Sequence, residues 1–152
     1  MHILMSFKRT GDWNKVQGIL ELQLQRVEAA ICFNFRVIGE GSVNHARKHG
    51  TYIDRTSNLR NSIGYVIAFD GKIIECEFKR SSGITDKSAF LADNKIHEML
   101  AGDTGYTLLI IAGMNYARSV ENRGKNVLSG TEKYLKDEVK AKMRNILSKA
   151  GF

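Results

Sequence analysis

The chain has 152 residues, 43% of them hydrophobic and 26% charged, which is typical of a soluble globular protein, and its length predicts a single domain over residues 1–152. No apolar stretch approaches the roughly 20 residues that a membrane-spanning helix needs, and the first residues lack the features of a secretory signal. The net charge of +7 is spread along the chain without interleaved aromatic residues, so it predicts only general attraction to polyanions.

Residues 13–38 predict a long amphipathic helix, because apolar side chains recur every three or four residues. They are Trp13, Val16, Leu20, Leu24, Val27, Ile31, Phe35 and Ile38. Asp12 is placed to cap the first turn, and Gly39-Glu40-Gly41 is expected to end the helix. Ser42 would then cap a short helix that Gly50 closes. A helix of about 40 Å exceeds what one face of a small domain needs, so we expect a kink or a protruding end that meets a neighbour.

From residue 62 onward the periodicity changes to that of extended strands. Residues 62–69 (SIGYVIAF) and 72–79 (KIIECEFK) are rich in β-branched and aromatic residues. Asp70 and Gly71 join the two segments, and both residue types tolerate positive φ. This pattern predicts an antiparallel hairpin with a two-residue turn.

The second half of the chain predicts a helix over residues 87–102, ending at Gly102, and a strand over the apolar residues 106–114. The strand is expected in the middle of the sheet, because its apolar run is almost continuous. A short strand then precedes a final helix that starts at a capping box from Ser129 to Glu132. The apolar stripe of this helix is Leu135, Val139, Met143 and Ile146.

This order of elements predicts an α+β fold. The strands are grouped instead of alternating with helices, which favours a small antiparallel sheet that contains the hairpin. We expect the long N-terminal helix and the C-terminal helix to pack on one face of that sheet.

One candidate catalytic site lies on the second hairpin strand, where Glu77 and Lys79 share a face. With Asp70 or Asp54 as a second carboxylate, they could bind Mg²⁺ and position a water for phosphodiester cleavage. The chain would then be a small basic metal-dependent nuclease. The alternative is a half-exposed strand with alternating charged and apolar residues, preceded by a turn that itself explains Asp70.

His45 and His49 lie four residues apart and would share a helix face, which is the spacing of a two-histidine metal site. The neighbouring Arg47 and Lys48 disfavour a bound cation, so a solvated histidine pair is the simpler interpretation. No Gly-rich phosphate loop, nucleophile motif or Cys-x-x-Cys motif is present. The sequence therefore predicts no enzyme, no metal and no cofactor.

Two short motifs stand in order along the chain. The first, before the predicted hairpin, is Asp54, Thr56, Asn58, Leu59, Arg60, Ser62 and Ile63. The second, after the later strand, is Tyr116, Ala117, Val120, Glu121 and Gly124. They resemble the Asp-x-Thr-Gly-x-Leu-Arg-x-Ser-Ile and Tyr-Ala-x-x-Val-Glu-x-x-Gly elements of the phage tail-completion family, the head-tail joining or neck proteins of the siphovirus type. The resemblance covers most of the chain from about residue 12, and residues 84–102 look like a helical insertion.

The resemblance implies a structural, non-enzymatic role in a phage or prophage. Such proteins complete the tail tube and mediate head-tail joining as a multi-subunit ring, so the implied partners are further copies of the chain, the head connector and the tail-tube protein. The implied location is the tail or neck of the virion, after assembly in the host cytoplasm. A basic lumen could contact passing DNA without sequence preference, and no membrane or small molecule is implied. A basic nucleic-acid-binding module is the remaining alternative.

The resemblance also implies structural roles for the first motif. Asp54 or Thr56 would cap the turn before the hairpin, and Leu59 and Ile63 would anchor that turn to the core. Arg60 would pair with an acid.

We expect the acid that pairs with Arg60 to be Glu121, in the second motif. Tyr116 is expected to bury its ring and to bond a backbone carbonyl through its hydroxyl. Ser57 occupies the position where the family usually has glycine, and we expect it to act as a helix N-cap and not to adopt positive φ.

Overall fold

The computed structural model describes residues 11–53, 55, 57–78, 94–114 and 117–150, and these form an α+β fold. In chain order the elements are α1 (Trp13–His49), α2 (Asn58–Asn61), β1 (Ile63–Phe69), β2 (Lys72–Phe78), α3 (Asn94–Leu100), β3 (Tyr106–Ala112), α4 (Ala117–Asn122) and α5 (Ser129–Ala150). The predicted long N-terminal helix, C-terminal helix and antiparallel sheet are confirmed.

Helix α1 runs unbroken for 37 residues, so the predicted break at Gly39-Glu40-Gly41 is wrong. The two glycines allow close packing within a continuous helix. A Cβ on Gly39 would lie 2.7 Å from the ring of Tyr65, and one on Gly41 would lie 2.8 Å from the hydroxyl of Tyr134. Each glycine therefore makes room for a tyrosine from another element.

The two ends of α1 lie where the sequence predicts them. The Asp12 carboxylate accepts a hydrogen bond from the Lys15 N–H at 3.3 Å, which confirms the N-cap. The helix stops at Gly50, whose backbone is extended (φ −62°, ψ 127°). Ser42 does not cap a second helix but is buried within α1.

The first half of α1 extends beyond the sheet. Residues 11–26 are exposed throughout, whereas Phe35, Ile38 and Val43 are buried. A helix of this length spans about 55 Å, more than twice the roughly 23 Å of a seven-residue strand. The helix therefore has the protruding end that its length predicts.

The hairpin turn is formed as predicted by Asp70 (φ 46°) and Gly71 (φ 73°), both in the left-handed region. The Asp70 carboxylate also accepts a hydrogen bond from the Gly105 N–H at 2.8 Å, and the Asp70 N–H donates to the Gly105 carbonyl at 3.0 Å. These bonds attach the turn to the loop before β3.

The three antiparallel strands lie in the order β2-β1-β3, with β1 in the middle. The predicted central position for β3 is wrong, because among the described residues it pairs only with β1. The apolar run of β3 has a different cause, because its side chains pack against hydrophobic clusters on both faces of the sheet. Leu108 and Ile110 pack on the α1 side of the sheet, and Leu109 and Ile111 pack on the other side.

The sheet separates two hydrophobic clusters. The larger cluster joins the sheet to α1, α4 and α5, and its buried members are Phe35, Ile38, Val43, Ala46, Tyr52, Leu59, Ile63, Tyr65, Ile67, Ala117 and Val127. The smaller cluster lies between the opposite face and α3, and its buried members are Val66, Ala68, Cys76, Phe78, Ile96 and Leu100. Both faces of the sheet are therefore covered.

The remaining helices differ in part from the prediction. Helix α3 ends at Leu100, close to the predicted Gly102, while residues 84–93 of the predicted insertion lie outside the described part. The prediction of a short strand before the last helix is wrong, because residues Ala117–Asn122 of that region form helix α4. Helix α5 packs along α1 through the predicted stripe, with Leu135, Val139 and Met143 against the larger cluster. Within the described ranges, no helix has the length and apolar character to cross a membrane.

Candidate functional site

The first motif forms the turn from α2 into β1. Leu59 and Ile63 are buried in the larger cluster, as expected for anchors of this turn. The Ser62 hydroxyl donates a hydrogen bond to the Leu59 carbonyl at 2.8 Å, and Asn58 is the exposed first residue of α2. The proposed capping residues Asp54 and Thr56 lie outside the described residues.

Ser57 immediately precedes α2 and has a left-handed backbone (φ 57°, ψ 8°). Its side chain makes no capping hydrogen bond, so the predicted N-cap is wrong. The left-handed conformation costs a residue with a Cβ about 1 kcal/mol relative to glycine. The backbone at this position is therefore one that favours the glycine of the family motif.

Two arginines make contacts at the first motif: Arg47 from α1, and Arg60 from the motif itself. Arg47, near the end of α1, donates from Nε to the carbonyl of Arg60 at 3.0 Å and from Nη2 to the carbonyl of Ile63 at 2.6 Å. Burial lowers the pKa of Arg47 below its usual value. The Arg60 guanidinium lies 6.0 Å from the ring centre of Tyr52, within the range of a cation–π contact. No sequence signal identified Arg47 as the side chain that binds this turn.

Glu121, in the second motif, binds the N-terminus of α5. Its carboxylate accepts hydrogen bonds from three consecutive backbone N–H groups, two just before α5 and one at its first residue. They belong to Val127 (3.0 Å), Leu128 (2.9 Å) and Ser129 (3.1 Å). The predicted pair of Arg60 with Glu121 is therefore wrong.

These hydrogen bonds decide the protonation of Glu121. Burial by itself would raise the pKa of the carboxyl group, but the hydrogen bonds from Ser129 and from the N–H groups before it outweigh burial. The pKa of Glu121 is held below its usual value. The side chain is accordingly an ionised helix cap at neutral pH and not a general acid.

The predicted capping box at the start of α5 is wrong. The residue that acts with Glu121 is Asn126, whose Oδ1 accepts hydrogen bonds from the Gly130 N–H at 2.8 Å and the Ser129 hydroxyl at 3.3 Å. Glu132 instead accepts a hydrogen bond from Lys136 one turn along the helix. Asparagine favours helix N-termini, so Asn126 was the available sequence signal.

Three other residues of the second motif contribute to packing or to the shape of the backbone. Ala117 is buried in the larger cluster and Val120 packs against that cluster. Gly124 has φ 72°, a conformation that glycine adopts without strain. Tyr116 lies outside the described residues.

Backbone contacts place the two motifs side by side. The Gly113 N–H donates to the Ser62 carbonyl at 3.0 Å, just before the second motif begins. The Asn126 N–H donates to the Thr51 hydroxyl at 2.8 Å, and the Asn126 side chain donates to the His49 carbonyl at 3.2 Å. The end of α1 and the described residues of both motifs thus form one region, in which Arg47, Glu121 and Asn126 bind backbone groups of the protein itself.

Of the carboxylates in the nuclease candidate, Asp70 and Glu77 are not brought together. Asp70 lies in the hairpin turn, whereas Glu77 is near the far end of β2, roughly 20 Å away along the strand. Glu77 lines a cavity of about 280 Å³ with Glu40, Arg47 and Tyr65. Lys79 and Asp54 lie outside the described residues. A single metal ion therefore cannot bind Asp70 and Glu77 together.

His45 and His49 form a stack and do not converge on a metal position. Their ring centres are 4.1 Å apart at an angle of 22°, and Tyr134 stacks on the other side of His45 at 4.8 Å. His49 Nδ1 donates to the His45 carbonyl at 2.9 Å, and His45 Nδ1 lies 3.2 Å from the Thr131 hydroxyl. In the described part of the chain, no three His, Cys, Asp or Glu side chains are grouped as metal ligands would be.

Comparisons of the chain with protein families, with curated proteins and with solved structures found no match. The family membership that the two motifs suggest therefore stays a prediction. The ring, its partners and its location in a virion are predictions in the same sense.

Proposed function

We propose that the chain is a structural protein of a phage or prophage that completes the tail tube and joins head to tail as a ring of several copies. The observation that carries this proposal is that the two motifs, distant in sequence, fold into one unit. Leu59, Ile63 and Ala117 belong to one buried cluster, and the Ser62 carbonyl binds the segment that leads into the second motif. Residues of a shared scaffold motif are expected to meet in this way.

The backbone at Ser57 gives the proposal separate support. The tail-completion motif has glycine at this position, and the chain adopts there a φ of 57°, which glycine tolerates best. A conformation that favours glycine is thus present at this position even though the glycine is not.

The polar groups of the motifs favour assembly over catalysis. Glu121 caps a helix, and Arg47 holds the carbonyls of the first motif. A head-to-tail ring needs two different surfaces on each subunit. The exposed half of α1 and the outer edge of β3 are two such surfaces in the described chain. The proposed partners are the head connector and the tail-tube protein.

A gene deletion with complementation tests the proposal. Without the gene, we expect filled heads and finished tails to accumulate separately, and purified protein added to that lysate should restore joined, infectious particles. Genes for a portal, a capsid protein and a tail-tube protein should lie nearby. Joined particles in the absence of the gene would contradict the proposal. Magnesium-dependent DNA cleavage that Glu77→Ala abolishes would favour a nuclease instead.

A further inference from the structure

The exposed half of α1 carries an apolar stripe with symmetric spacing. Trp13, Val16, Leu20 and Leu24 expose 46%, 43%, 57% and 62% of their surface. With Val27 they follow one another at intervals of three, four, four and three residues. This spacing places all five on one face of the helix, and the intervals are the same from either end.

The rest of the described chain covers this stripe only at its inner end. The end of α5 contributes Ile146 and Lys149 to a groove of about 680 Å³, which Leu20, Leu24 and Val27 of α1 also line. Leu20 and Leu24 stay more than half exposed in this groove, and residues 11–26 as a whole are exposed. Further along α1, the same helix face is buried in the larger cluster. The stripe therefore extends the apolar face of the core into the solvent-exposed half of the helix.

The charges beside the stripe argue against a membrane or a nucleic acid as its partner. Residues 13–28 contain two basic residues, Lys15 and Arg26, and two acidic ones, Glu21 and Glu28. Helices that bind anionic lipid or phosphate carry a strongly basic face beside their apolar one. This segment is neutral although the whole chain has a net charge of +7. An apolar protein surface fits it better.

We propose that the stripe pairs antiparallel with the same stripe of a second copy, with a two-fold axis at Leu20. Because the spacing is symmetric, this arrangement sets Leu20 against Leu20 of the partner subunit. It also sets Val16 against Leu24 and Trp13 against Val27 of the other copy. A two-fold contact requires such self-complementarity, and an unrelated partner does not.

The size of the stripe fits a modest homodimer. Four side chains that are about half exposed, together with the partly buried Val27, offer roughly 400 Å² per copy, within the range of functional patches on single chains. With the flanking polar atoms, two copies would bury on the order of 1,000 Å², the lower limit for a specific interface. The indole of each Trp13 would reach Val27 of the other copy, beside the groove at the end of α5, and tryptophan is a common interface anchor.

This contact goes beyond the proposed function and does not depend on it. A two-fold contact closes on itself and forms a pair, whereas a ring requires head-to-tail contacts. Because both contacts would use the exposed half of α1, the pairing describes the free protein and not the assembled ring, and a failure of head-tail joining would leave it untouched.

The mass of the full chain in solution tests the pairing. Sedimentation equilibrium at tens of micromolar should give twice the 17.1 kDa of the chain. Leu20→Lys places two ammonium groups at the axis and should give a monomer with unchanged helix content. Leu22→Lys is the matched control, because Leu22 is 47% exposed but lies on the opposite face, and it should remain dimeric. A monomeric parent protein, or equal dissociation by both variants, would overturn the proposal.

Disulfide trapping tests the orientation. In a background with Cys32 and Cys76 replaced by serine and alanine, a tagged Val16→Cys chain is mixed with an untagged Leu24→Cys chain. Antiparallel pairing should give mainly the mixed disulfide after mild oxidation. Predominant Val16→Cys homodimers would show parallel pairing and would overturn the proposed axis.

Discussion

The backbone at Ser57 shows how one residue can carry a motif without its preferred side chain. A left-handed φ of 57° is unfavourable for serine, and no side-chain cap compensates for it. Glycine would adopt the same conformation without contact between a Cβ and the carbonyl that follows.

We therefore expect Ser57→Gly to raise the free energy of unfolding by about 0.5–1 kcal/mol in urea denaturation. Ser62→Gly is the matched control, since Ser62 has a right-handed φ of −80° and its hydroxyl binds the Leu59 carbonyl. It should destabilise the protein by about 1 kcal/mol. Destabilisation by Ser57→Gly would contradict the left-handed assignment.

The carboxylate of Glu121 is expected to stabilise the start of α5. Glu121→Ala leaves three N–H groups without this acceptor and should lower the free energy of unfolding by about 1–3 kcal/mol. Glu132→Ala serves as the control, because its ion pair with Lys136 is exposed to solvent and should contribute much less to stability. Equal losses in denaturant titrations of the two variants would support the capping box over the Glu121 cap.

Residue types identified several roles in advance, and geometry decided the others. Asp12 and the Asp70-Gly71 turn were predictable because each acts on backbone within a few residues. The partner of Glu121 was not, because an acid can reach a cation or a helix terminus and only the fold selects between them. The contacts of Arg60 were also not predictable from residue type. Its guanidinium lies over the ring of Tyr52, whereas the expected partner was Glu121.

At the scale of elements, two glycines of α1 have different structural roles. Gly39 faces the ring of Tyr65, so its missing side chain permits the helix to approach the sheet. A Cβ on Gly18, in the exposed half of the same helix, would meet no atom of the described chain within 4 Å. The sequence pattern placed Gly18 within the helix, but the prediction that Gly39 helps to end the helix is wrong.

Alanine substitutions at these two positions should have opposite signs. Gly39→Ala should destabilise the protein by about 1–3 kcal/mol, because the new methyl group clashes with Tyr65 in a packed core. Gly18→Ala should stabilise it by up to about 1 kcal/mol through helix propensity. Urea denaturation of both variants measures the difference. Stabilisation by Gly39→Ala would indicate that the helix is not continuous and packed there.

The strand order shows why an apolar run does not fix a position in a sheet. Strand β3 alternates between the two hydrophobic clusters, with Leu108 facing one and Leu109 facing the other. Its sequence therefore looks like that of a central strand although it pairs on one side only within the described chain. The cover supplied by α3 on the second face was not predictable from the strand itself.

At the scale of the whole molecule, the contact between α1 and α5 contains a histidine whose pKa is lowered by the fold. His45 is stacked between His49 of α1 and Tyr134 of α5, and it lies beside Thr131. Burial, assisted by His49, lowers the pKa of His45 below 6.5. The folded state thus favours the neutral imidazole.

Stability should consequently fall as the solution is acidified. Because the folded pKa is below the unfolded one, the contribution of His45 is complete above about pH 6.5 and is lost as the pH falls through the folded value. We expect the free energy of unfolding to decline from pH 7 to pH 5, and the decline to be smaller in His45→Gln. Parallel declines in the two proteins would exclude His45 as the cause.

The fold class followed from the sequence because periodicity and turn residues report on local structure. The function could not be derived in this way, because it depends on partner proteins. Only the resemblance of two short motifs suggests which partners these are. The assembly role stays a proposal, in which the protruding half of α1 would provide one of the contact surfaces.

The most direct test of the proposed role is electron microscopy of isolated tails from the phage or prophage that we propose encodes the chain. Tails assembled without the protein are incubated with the purified chain and imaged with a gold label on its C-terminus. The account predicts a ring of label at the head-proximal end of each tail and none along the tube or at the distal tip. Tails that remain unlabelled at that end, while still competent to join heads, would contradict it.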